Sequence, residues 1–307
     1  MAFHRRKAYL SRMLDDQSET IRFLANPALH GGQRPERVET HISHVFLAGD
    51  RAYKLKRAVK TNFLDFSTVA RREAMCRREL EVNPAAGALY RGVRAVTREA
   101  DGSLALDGAG EAIDWVVEMV PFDRSTELDR LADAGALTRR HVELLADRVA
   151  WLHAAAPRHP RRGDADEAQA RIEQIAGAIR EADTASRLTD AVAEWAAAAH
   201  QAAADRARLI EARGRHGFVR RGHGDLHLGN ICLHDGQPTP FDAMEFNEEI
   251  ATTDILYDAG FVVMDLLARG LRGHAAVFTE RYLSATRDYA GLAHPLWALW
   301  FVFAASA

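Results

Sequence analysis

Lysine is scarce in this 307-residue chain, and none occurs after position 60. Only four of the 40 basic residues are lysines, and three of them stand at positions 54, 56 and 60, in the stretch AYKLKRAVK. A phosphate-binding loop of the type GxxxxGK[ST] needs a lysine, so the chain after residue 60 cannot contain one. An ammonium and a guanidinium differ in reach and geometry at phosphates, so lysines kept in an arginine-rich chain indicate a position that requires lysine. Chance clustering on a solvated strand is the alternative.

Cysteine and long apolar runs are also scarce. The two cysteines, Cys76 and Cys232, lie far apart in sequence, which is typical of reduced cytosolic thiols and argues against a disulfide framework or a zinc set. The apolar run PLWALWFVFAASA has 13 residues, whereas a membrane-spanning helix needs about 20. We expect a core helix there, cut short by the end of this chain, with the natural polypeptide continuing. The N-terminus has no signal-peptide pattern.

The charges are nearly balanced, with 40 basic and 43 acidic residues and a net charge of -3. This balance gives no global attraction to nucleic acid or to an anionic membrane, so neither is expected as a partner. A hydrophobic content of 48% is enough for a proper core. The sequence therefore predicts a globular cytoplasmic protein that holds any anionic substrate in a local site.

Residues 1–121 are predicted to form a small lobe of antiparallel strands with one helix. The stretch PERVETHISHVFLAGDRAYKLKRAV has β-branched and aromatic residues on both sides of the turn AGDR, which predicts a hairpin. Residues 67–82 carry apolar side chains at helical spacing after a possible Ser67 N-cap. Two further strands are predicted in YRGVRAVTRE and IDWVVEMVPF.

Residues 122–307 are predicted to form a mainly helical lobe, because alanine and arginine recur there at helical spacing. Helices are expected within 128–156, 168–213, 253–268 and 274–290, with one β-hairpin inserted before the last two. The fold class predicted from this order is α+β, with two lobes.

The stretch HGDLHLGNICLHDGQPTPFDAMEF, residues 223–246, carries the chemistry. A histidine-bound metal is a weak interpretation, because the glycines around His223 and His227 argue against a helix that would put both rings on one face. These histidines are more simply explained as hydrogen-bonded scaffold.

Phosphoryl transfer explains more of the same stretch. It needs a carboxylate that orients a hydroxyl and hard oxygen ligands for Mg²⁺. Asp225 and Asn230 lie in a glycine-containing loop, ICLHDGQPTPF reads as a hairpin, and Asp242 follows that hairpin. A hairpin brings its ends together, so Asn230 and Asp242 are expected to converge on one ion. A loop carboxylate that caps nearby amides is the alternative role for Asp225.

HGDLHLGN, with an aspartate at hairpin distance behind it, resembles the catalytic loop of the aminoglycoside phosphotransferase family, which has a protein-kinase-like fold. The resemblance implies an ATP- and Mg²⁺-dependent phosphotransferase that moves the γ-phosphoryl of ATP to a hydroxyl of a small molecule, an aminoglycoside or a sugar-like compound. It also implies Asp225 as the catalytic base in the loop 223–230. Asn230 and Asp242 would be the metal ligands, the latter in the segment 241–246. Glu245 is open to a solvated role, to a supporting role behind the metal ligands or to metal binding.

AYKLK resembles the third strand of the same family, whose lysine holds the α- and β-phosphates. Lys54 is preferred for this role, and Lys56, on the same strand face, stays open. The partner glutamate on the following helix would be Glu79 in preference to Glu73.

DWVVEMVPF matches the family's hinge, which implies adenine binding by the backbone around Glu118 to Val120. In TTDILYDAGFVVMDLL, Asp258 would brace the catalytic loop. One departure concerns the phosphate loop, because the turn ETHIS has no glycine. Backbone amides or the Ser43 hydroxyl would have to reach the phosphate there.

The stretches ETHISHVFLAGDRAYKLK and LDFSTVARRE are also similar to bacterial proteins in which such a kinase-like domain precedes a P-loop kinase domain. This similarity implies a P-loop kinase domain, absent from this chain, as a partner. The glycine-free turn supports a rival function, namely a catalytically silent nucleotide-binding or regulatory module that docks to a partner domain.

Overall fold

The computed structural model describes residues 15–61, 64–159, 165–182 and 188–294. The described residues fall into two compact units. One comprises the described part of Met1–Asp123 together with Met244–Asn247, and the other comprises that of Arg124–Ala243 and Glu248–Ala307. The apolar run at the C-terminus, for which a core helix is predicted, lies outside the described residues.

The first unit contains a six-stranded antiparallel sheet in the order β1-β2-β3-β6-β4-β5. Its strands are β1 Glu36–Glu39, β2 Ser43–Ala48, β3 Arg51–Lys56, β4 Tyr90–Arg98, β5 Leu104–Leu106 and β6 Glu111–Met119. The predicted hairpin is the pair β2–β3, which turns at Gly49 with a φ of 57°. Glycine adopts this left-handed backbone without a steric penalty.

Two helices accompany this sheet, α1 Ser18–Leu24 and α2 Val69–Val82. The predicted N-cap of α2 is wrong by one residue. The Thr68 side chain accepts the Arg71 N–H at 3.4 Å, whereas the Ser67 hydroxyl donates to Asp65 at 2.5 Å. The helix therefore starts one position later than the sequence suggested, because the carboxylate of Asp65 engages Ser67.

Side chains of β3 alternate between two apolar clusters. Tyr53 and Leu55 pack with Phe46 and Val116 on one side of the sheet, whereas Ala52 packs with Cys76 of α2 on the other. Because side chains two apart in a strand share a face, Lys54 and Lys56 point to the side that α2 covers. The sheet therefore directs both lysines towards this helix.

The second unit is mainly helical. Its helices are α3 Leu128–Asp133, α4 Arg139–Ala155, α5 Ala165–Ala182, α6 Thr189–Asp205, α7 Ala207–Arg215, α8 Glu248–Ala251, α9 Leu256–Ala268 and α10 Arg272–Thr286. Its strands are β7 Val219–Arg221, β8 Ile231–His234, β9 Gln237–Pro240 and β10 Thr252–Asp254. The hairpin β8–β9 is the predicted one, and β7 pairs with β10.

Helices α4, α9 and α10 form the main core of this unit, with Leu145, Val149, Val262 and Phe278 among its buried residues. Helices α5, α6 and α7 form a separate apolar cluster. The predicted α+β class is confirmed, with an antiparallel sheet and helices in the first unit and a β-hairpin among helices in the second. No helix among the described residues combines the length and the apolar character needed to cross a bilayer.

Candidate active site

The hairpin β8–β9 joins the two ends of the predicted metal-binding stretch. Ile231 pairs with Pro240, and the Phe241 N–H donates to the carbonyl of Asn230 at 2.9 Å. Asp242 follows directly, with a φ of 61°. Aspartate is one of the few residue types that tolerates this left-handed region. The strand pairing thus brings Asn230 and the residue before Asp242 into direct contact.

Asn230 also closes the loop 223–230 onto Asp225. Its Nδ2 donates to the backbone carbonyl of Asp225 at 2.9 Å and to the Oδ2 of the same residue at 3.1 Å. Because Nδ2 is directed at Asp225, the amide oxygen Oδ1 lies on the opposite side of the planar amide group. One asparagine therefore orients the proposed base and still presents an oxygen of the kind that Mg²⁺ prefers.

Helix α9 braces the loop at two points. Asp258 accepts the N–H groups of His223 and Gly224 at 2.6 and 2.8 Å, and Asp265 accepts the N–H of Leu228 at 2.9 Å. The two aspartates are seven residues apart, which places them on one face of the helix. The sequence pointed only to Asp258; the seven-residue spacing was the signal that could have revealed Asp265.

The carboxylate of Asp258 is itself fixed. His153 contacts its Oδ2 through Nε2 at 3.2 Å and contacts the Tyr282 hydroxyl through Nδ1 at 2.8 Å. Burial raises the pKa of Asp258, but the bonds from His153 and the loop amides outweigh it, and the net pKa lies below its usual value. At Gly222, an added Cβ would stand 2.3 Å from Oδ2 of Asp258, so only glycine fits beside this brace.

The histidines of the loop act as scaffold. His223 is buried and contacts the Phe241 carbonyl through Nε2 at 2.9 Å, and burial lowers its pKa. His227 Nδ1 accepts the Gly229 N–H at 3.1 Å, and its Nε2 lies 3.7 Å from the Oδ2 of Asp225. For Asp225, burial raises the pKa, and the negative charge of Asp242 adds to the rise.

The donor set fits a hard cation only in part. Among the described residues, no group of three or more His, Cys, Asp or Glu side chains is arranged to hold a metal ion. Asn230 and Asp242 together supply an amide oxygen and a carboxylate. Mg²⁺ commonly keeps several waters and takes one or two carboxylates plus phosphate oxygens, so such a pair suits a metal that arrives with a nucleotide.

The first unit holds a buried group of four charged residues. Lys54 Nζ donates to Glu79 Oε1 at 2.9 Å, and Lys56 Nζ donates to Glu79 Oε2 at 2.6 Å and to Glu245. Side-chain exposure is 9% for Lys54 and 3% or less for the other three. Both candidate lysines therefore meet Glu79, while the alternative glutamate, Glu73, pairs with Arg77 on the exposed side of α2.

The glycine-free turn between β1 and β2 is closed by side chains. Thr40 Oγ1 accepts the Ser43 N–H at 3.0 Å, and Arg57 Nη1 donates to the Thr40 carbonyl at 2.9 Å. The Ser43 hydroxyl is buried and has no hydrogen-bond partner among the residues that the structure describes. Its reach to a phosphate stays a prediction.

The proposed hinge residues lie at the end of β6. The Glu118 carboxylate is buried and accepts Arg94 Nε at 2.6 Å, with Arg51 and Arg91 each at 3.6 Å. The Val120 N–H donates to the Leu89 carbonyl at 2.8 Å. Adenine binding at Val120 would therefore depend on another backbone group, and the hinge assignment stays a prediction.

The sequence did not predict that Glu245 would be buried beside Lys56. It stands 189 positions from Lys56, and no local pattern relates the two. Its spacing after Asp242 allowed a solvated role, a supporting role behind the metal ligands or metal binding; the solvated role is wrong, because Glu245 is buried against a lysine.

No protein-family model matches the chain. Uncharacterized proteins of Mycobacterium tuberculosis and Mycobacterium bovis are 30% identical to it over 263 residues, which cover 82% of this chain and 50% of theirs. The chain thus spans about half the length of these curated relatives.

Three solved structures are similar to the chain at low identity. A glucosamine kinase in complex with glucosamine, ADP and inorganic phosphate is 16% identical, with a TM-score of 0.49, and the match covers 89% of this chain and 75% of that one. A choline/ethanolamine kinase family protein from Mesorhizobium loti is 14% identical, with a TM-score of 0.49 and coverages of 95% and 87%. An ADP-bound aminoglycoside phosphotransferase is 14% identical, with a TM-score of 0.47 and coverages of 94% and 98%. Similarity at this level assigns no activity or substrate to this chain.

Proposed function

We propose that the chain is an ATP- and Mg²⁺-dependent phosphotransferase of the aminoglycoside phosphotransferase type, which moves the γ-phosphoryl of ATP to a hydroxyl of a small molecule. The observation that carries the proposal is the braced loop in which Asn230 bonds to Asp225 while the hairpin delivers Asp242 beside it. A loop carboxylate in a purely structural role would not need an amide partner at the mouth of a hairpin.

Asp225 is the proposed base. It orients the acceptor hydroxyl and accepts its proton as the oxygen attacks the γ-phosphorus, and the bond from that phosphorus to the β,γ-bridging oxygen of ATP breaks. Its side chain is 44% exposed, so an acceptor can reach it. The two bonds from Asn230 Nδ2 and the backbone bonds to Asp258 and Asp265 limit its movement, and such positioning is the main source of catalysis in phosphoryl transfer.

Asn230 and Asp242 would hold Mg²⁺. When bound, this ion would neutralise charge on the phosphate oxygens. Asp242 supplies the carboxylate and Asn230 the amide oxygen that faces away from Asp225, while Asp225 is left to the acceptor. This division gives each of the three residues one role.

Lys54, paired with Glu79, is the proposed ligand of the nucleotide phosphates. An ammonium group is a compact positive charge with three N–H donors, which suits it to phosphate oxygens. Ser43 and the backbone around Glu118 and Val120 are proposed to complete nucleotide binding.

The acceptor is proposed to be a sugar-like compound or an aminoglycoside. A cationic aminoglycoside requires acidic side chains that it can reach, and the sequence offers four candidates: Asp123, Glu127, Glu248 and Glu249. Glu127 is mostly buried and pairs with Arg124 and Arg130, and Glu248 lies 3.5 Å from Arg221. Because arginines already meet two of these carboxylates, we favour the sugar-like class.

A catalytically silent nucleotide-binding or regulatory module is the second candidate. It is supported by the buried Ser43 hydroxyl, by the glycine-free turn and by the engaged Val120 N–H. Such a module would dock to a partner, for example a P-loop kinase domain that this chain lacks.

Turnover separates the two functions. ATP hydrolysis and phosphoryl transfer are measured with Mg²⁺ across a panel of sugars, aminoglycosides and small alcohols, for the wild type, Asp225→Asn and the control Asp235→Asn. Asp235 lies in the turn of the same hairpin and is 93% exposed. We expect Asp225→Asn to lower turnover about 10²- to 10⁴-fold and the control to leave it unchanged. Nucleotide binding without Asp225-dependent turnover would establish the silent module instead.

A further inference from the structure

An apolar groove lies in the second unit between helices α9 and α10 and the 3₁₀ turn Tyr289–Ala293. Its volume is about 840 Å³, and most of its lining is apolar. Helix α9 contributes Val263 and Leu267, and α10 contributes a stripe that includes Ala276 and Leu283. Because positions seven apart lie on the same side of a helix, one continuous face of α10 forms the floor of the groove.

Large apolar side chains are exposed at this groove. Tyr289 and Leu292, both in its lining, are 61% and 58% exposed. Among the described residues four large apolar side chains are exposed, so half of them are gathered here. Exposed apolar surface that is contiguous with an apolar groove typically marks a site of interaction.

The polar residues of the lining favour a polypeptide occupant over a small polar ligand. Arg272 and Glu280 are exposed, and the Thr279 hydroxyl donates to the Ala275 carbonyl at 2.9 Å. Sites for small molecules usually direct a few polar groups at the ligand from within the pocket. The buried members of this lining are apolar instead, as in the grooves that receive the apolar face of a helix.

We propose that the segment 295–307 of this chain, PLWALWFVFAASA, binds in the groove. The segment lies outside the described residues. It contains seven Leu, Trp, Phe or Val side chains and no charged residue, so its composition matches that of the lining. It also follows directly on the 3₁₀ turn, and Leu292 in the lining stands only three positions before Pro295.

The length of the segment and the backbone in front of it fit a third helix beside α9 and α10. The lining of α10 extends from Arg272 to Leu283, which is about 17 Å at 1.5 Å per residue, and 13 residues in helical form would span about 20 Å. His294 has an extended backbone, with a φ of -71° and a ψ of 135°, as is usual for the residue before a helix. Proline, which follows it, is favoured at the first helical position.

Helix α9 connects the groove with the loop 223–230. Asp258 and Asp265 hold the loop amides, whereas Leu267 lines the groove. At 3.6 residues per turn, Leu267 lies about 180° around the helix from Asp258. A segment seated in the groove would therefore pack on the side of α9 that is opposite to the loop.

A photoreactive side chain in the groove identifies the occupant. The full chain is prepared with Ala276→p-benzoylphenylalanine and, as the matched control, Ala285→p-benzoylphenylalanine. Both alanines are exposed in α10, but they are nine residues apart and so lie on opposite sides of the helix. After irradiation, we expect mass spectrometry to find position 276 linked to the segment 295–307 of the same molecule and position 285 not linked to it. A link from position 276 to a second copy of the chain, or no link to 295–307, would overturn the proposal.

Thermal unfolding of the full chain tests the same contact by its energy. Ala276→Asp places a carboxylate in the groove, where apolar side chains cannot solvate it, so the midpoint is expected to fall by about 2–4 °C. In the background Trp297→Gln/Trp300→Gln, which weakens the segment, we expect the same substitution to lower the midpoint by about half as much or less. The control Ala285→Asp should change the midpoint by about 1 °C or less in both backgrounds. Equal shifts for Ala276→Asp in the two backgrounds would show that the segment does not occupy the groove.

Discussion

Arg213 is the residue with the densest set of buried ionic contacts in the described part of the second unit. It donates through Nε and Nη2 to Asp254 at 2.6 and 2.9 Å, and through Nη1 and Nη2 to Asp288 at 2.6 and 2.7 Å. Its guanidinium also lies 4.1 Å from the centroid of the Phe218 ring. A planar guanidinium can satisfy two carboxylates at once, which a lysine ammonium cannot reproduce.

We expect Arg213→Met to lower the free energy of unfolding by about 3–5 kcal/mol, because two buried aspartates lose their counter-charge. Urea denaturation provides the measurement. Arg215→Met is the matched control, since Arg215 lies two residues later in α7, is 66% exposed and faces Glu211 at 3.7 Å. Its effect is expected within about 0.5 kcal/mol. Equal losses for the two variants would contradict the role assigned to Arg213.

The two cysteines should be unreactive in the folded protein. Burial raises the pKa of Cys76 and of Cys232 to about 12 in each case, and both side chains are buried. Since the thiolate is the reactive form, we expect a disulfide reagent at about pH 8 to label neither thiol in native buffer and both in denaturant. Labelling of one equivalent within minutes in native buffer would show that one of these thiols is accessible.

At the scale of elements, α9 supports the loop 223–230 through Asp258 and Asp265. The closest approach is at Gly222, where the loop backbone leaves no room for a side chain beside Asp258. A change at Gly222 should therefore affect both the loop and its hydrogen bonds to helix α9.

Gly222→Ala is expected to displace the Asp258 carboxylate and release the His223 and Gly224 amides, with a loss of about 1–3 kcal/mol in stability. We also expect turnover to fall at least about 10-fold, because Asp225, the proposed base, loses its support. Gly273→Ala, in α10, is the control: an added Cβ there meets nothing within 4 Å, so stability should be unchanged or slightly higher. Urea denaturation and ATP turnover are measured on both variants, and wild-type turnover in Gly222→Ala would refute the brace.

The hairpin β8–β9 and strand β3, which carries Lys54 and Lys56, could be predicted because each depends on residues close together in sequence. Turn residues between two apolar runs predict a hairpin. Two lysines spaced two residues apart in a strand are predicted to share one face. Strand β10 was missed because three residues, Thr252–Asp254, carry too little periodicity to distinguish a strand from the start of α9. The stretch 168–213 was predicted to be helical, but the boundaries of α5, α6 and α7 within it were not predicted, since an alanine-rich sequence marks helix breaks weakly.

The features of the candidate site also fall into those that local sequence predicts and those that depend on tertiary packing. The convergence of Asn230 and the end of the hairpin follows from strand pairing, which sequence reasoning can anticipate. The partnership of Lys56 with Glu245 depends on tertiary packing, as does the engagement of Val120 N–H by Leu89. Contacts of this kind leave no repeating pattern in one sequence.

At the scale of the whole molecule, stability should fall as the pH decreases from neutral. Burial lowers the pKa of His294 below its usual 6.5, so the unfolded chain binds this proton first and the free energy of unfolding falls below about pH 6.5. The pKa of Asp254 is lowered in spite of its burial, with His294 and Arg213 as the opposing causes, so a second loss follows as the pH falls below 3.8.

Asp225 has the opposite effect on the pH dependence of stability. Its pKa is raised by burial, which favours the protonated form in the folded state, so its contribution is lost as the pH rises through that raised pKa. Over a first step from about pH 8 to about pH 6 the midpoint of urea unfolding should decrease, and His294→Asn should reduce this decrease. A midpoint that rises over that first step of acidification would contradict this account.

The segment Met244–Asn247 belongs to the first unit although it is distant from Met1–Asp123 in sequence, so no single cut in the chain separates the two units. A fragment that ends near residue 123 would contain Lys56 but not Glu245, and one that begins there would contain Glu245 without its lysine. Neither piece includes all of the buried charges that it needs, so separately expressed halves should be poorly folded and should gain order when mixed. Appending Met244–Asn247 through a flexible linker to the shorter fragment should give a polypeptide that folds alone.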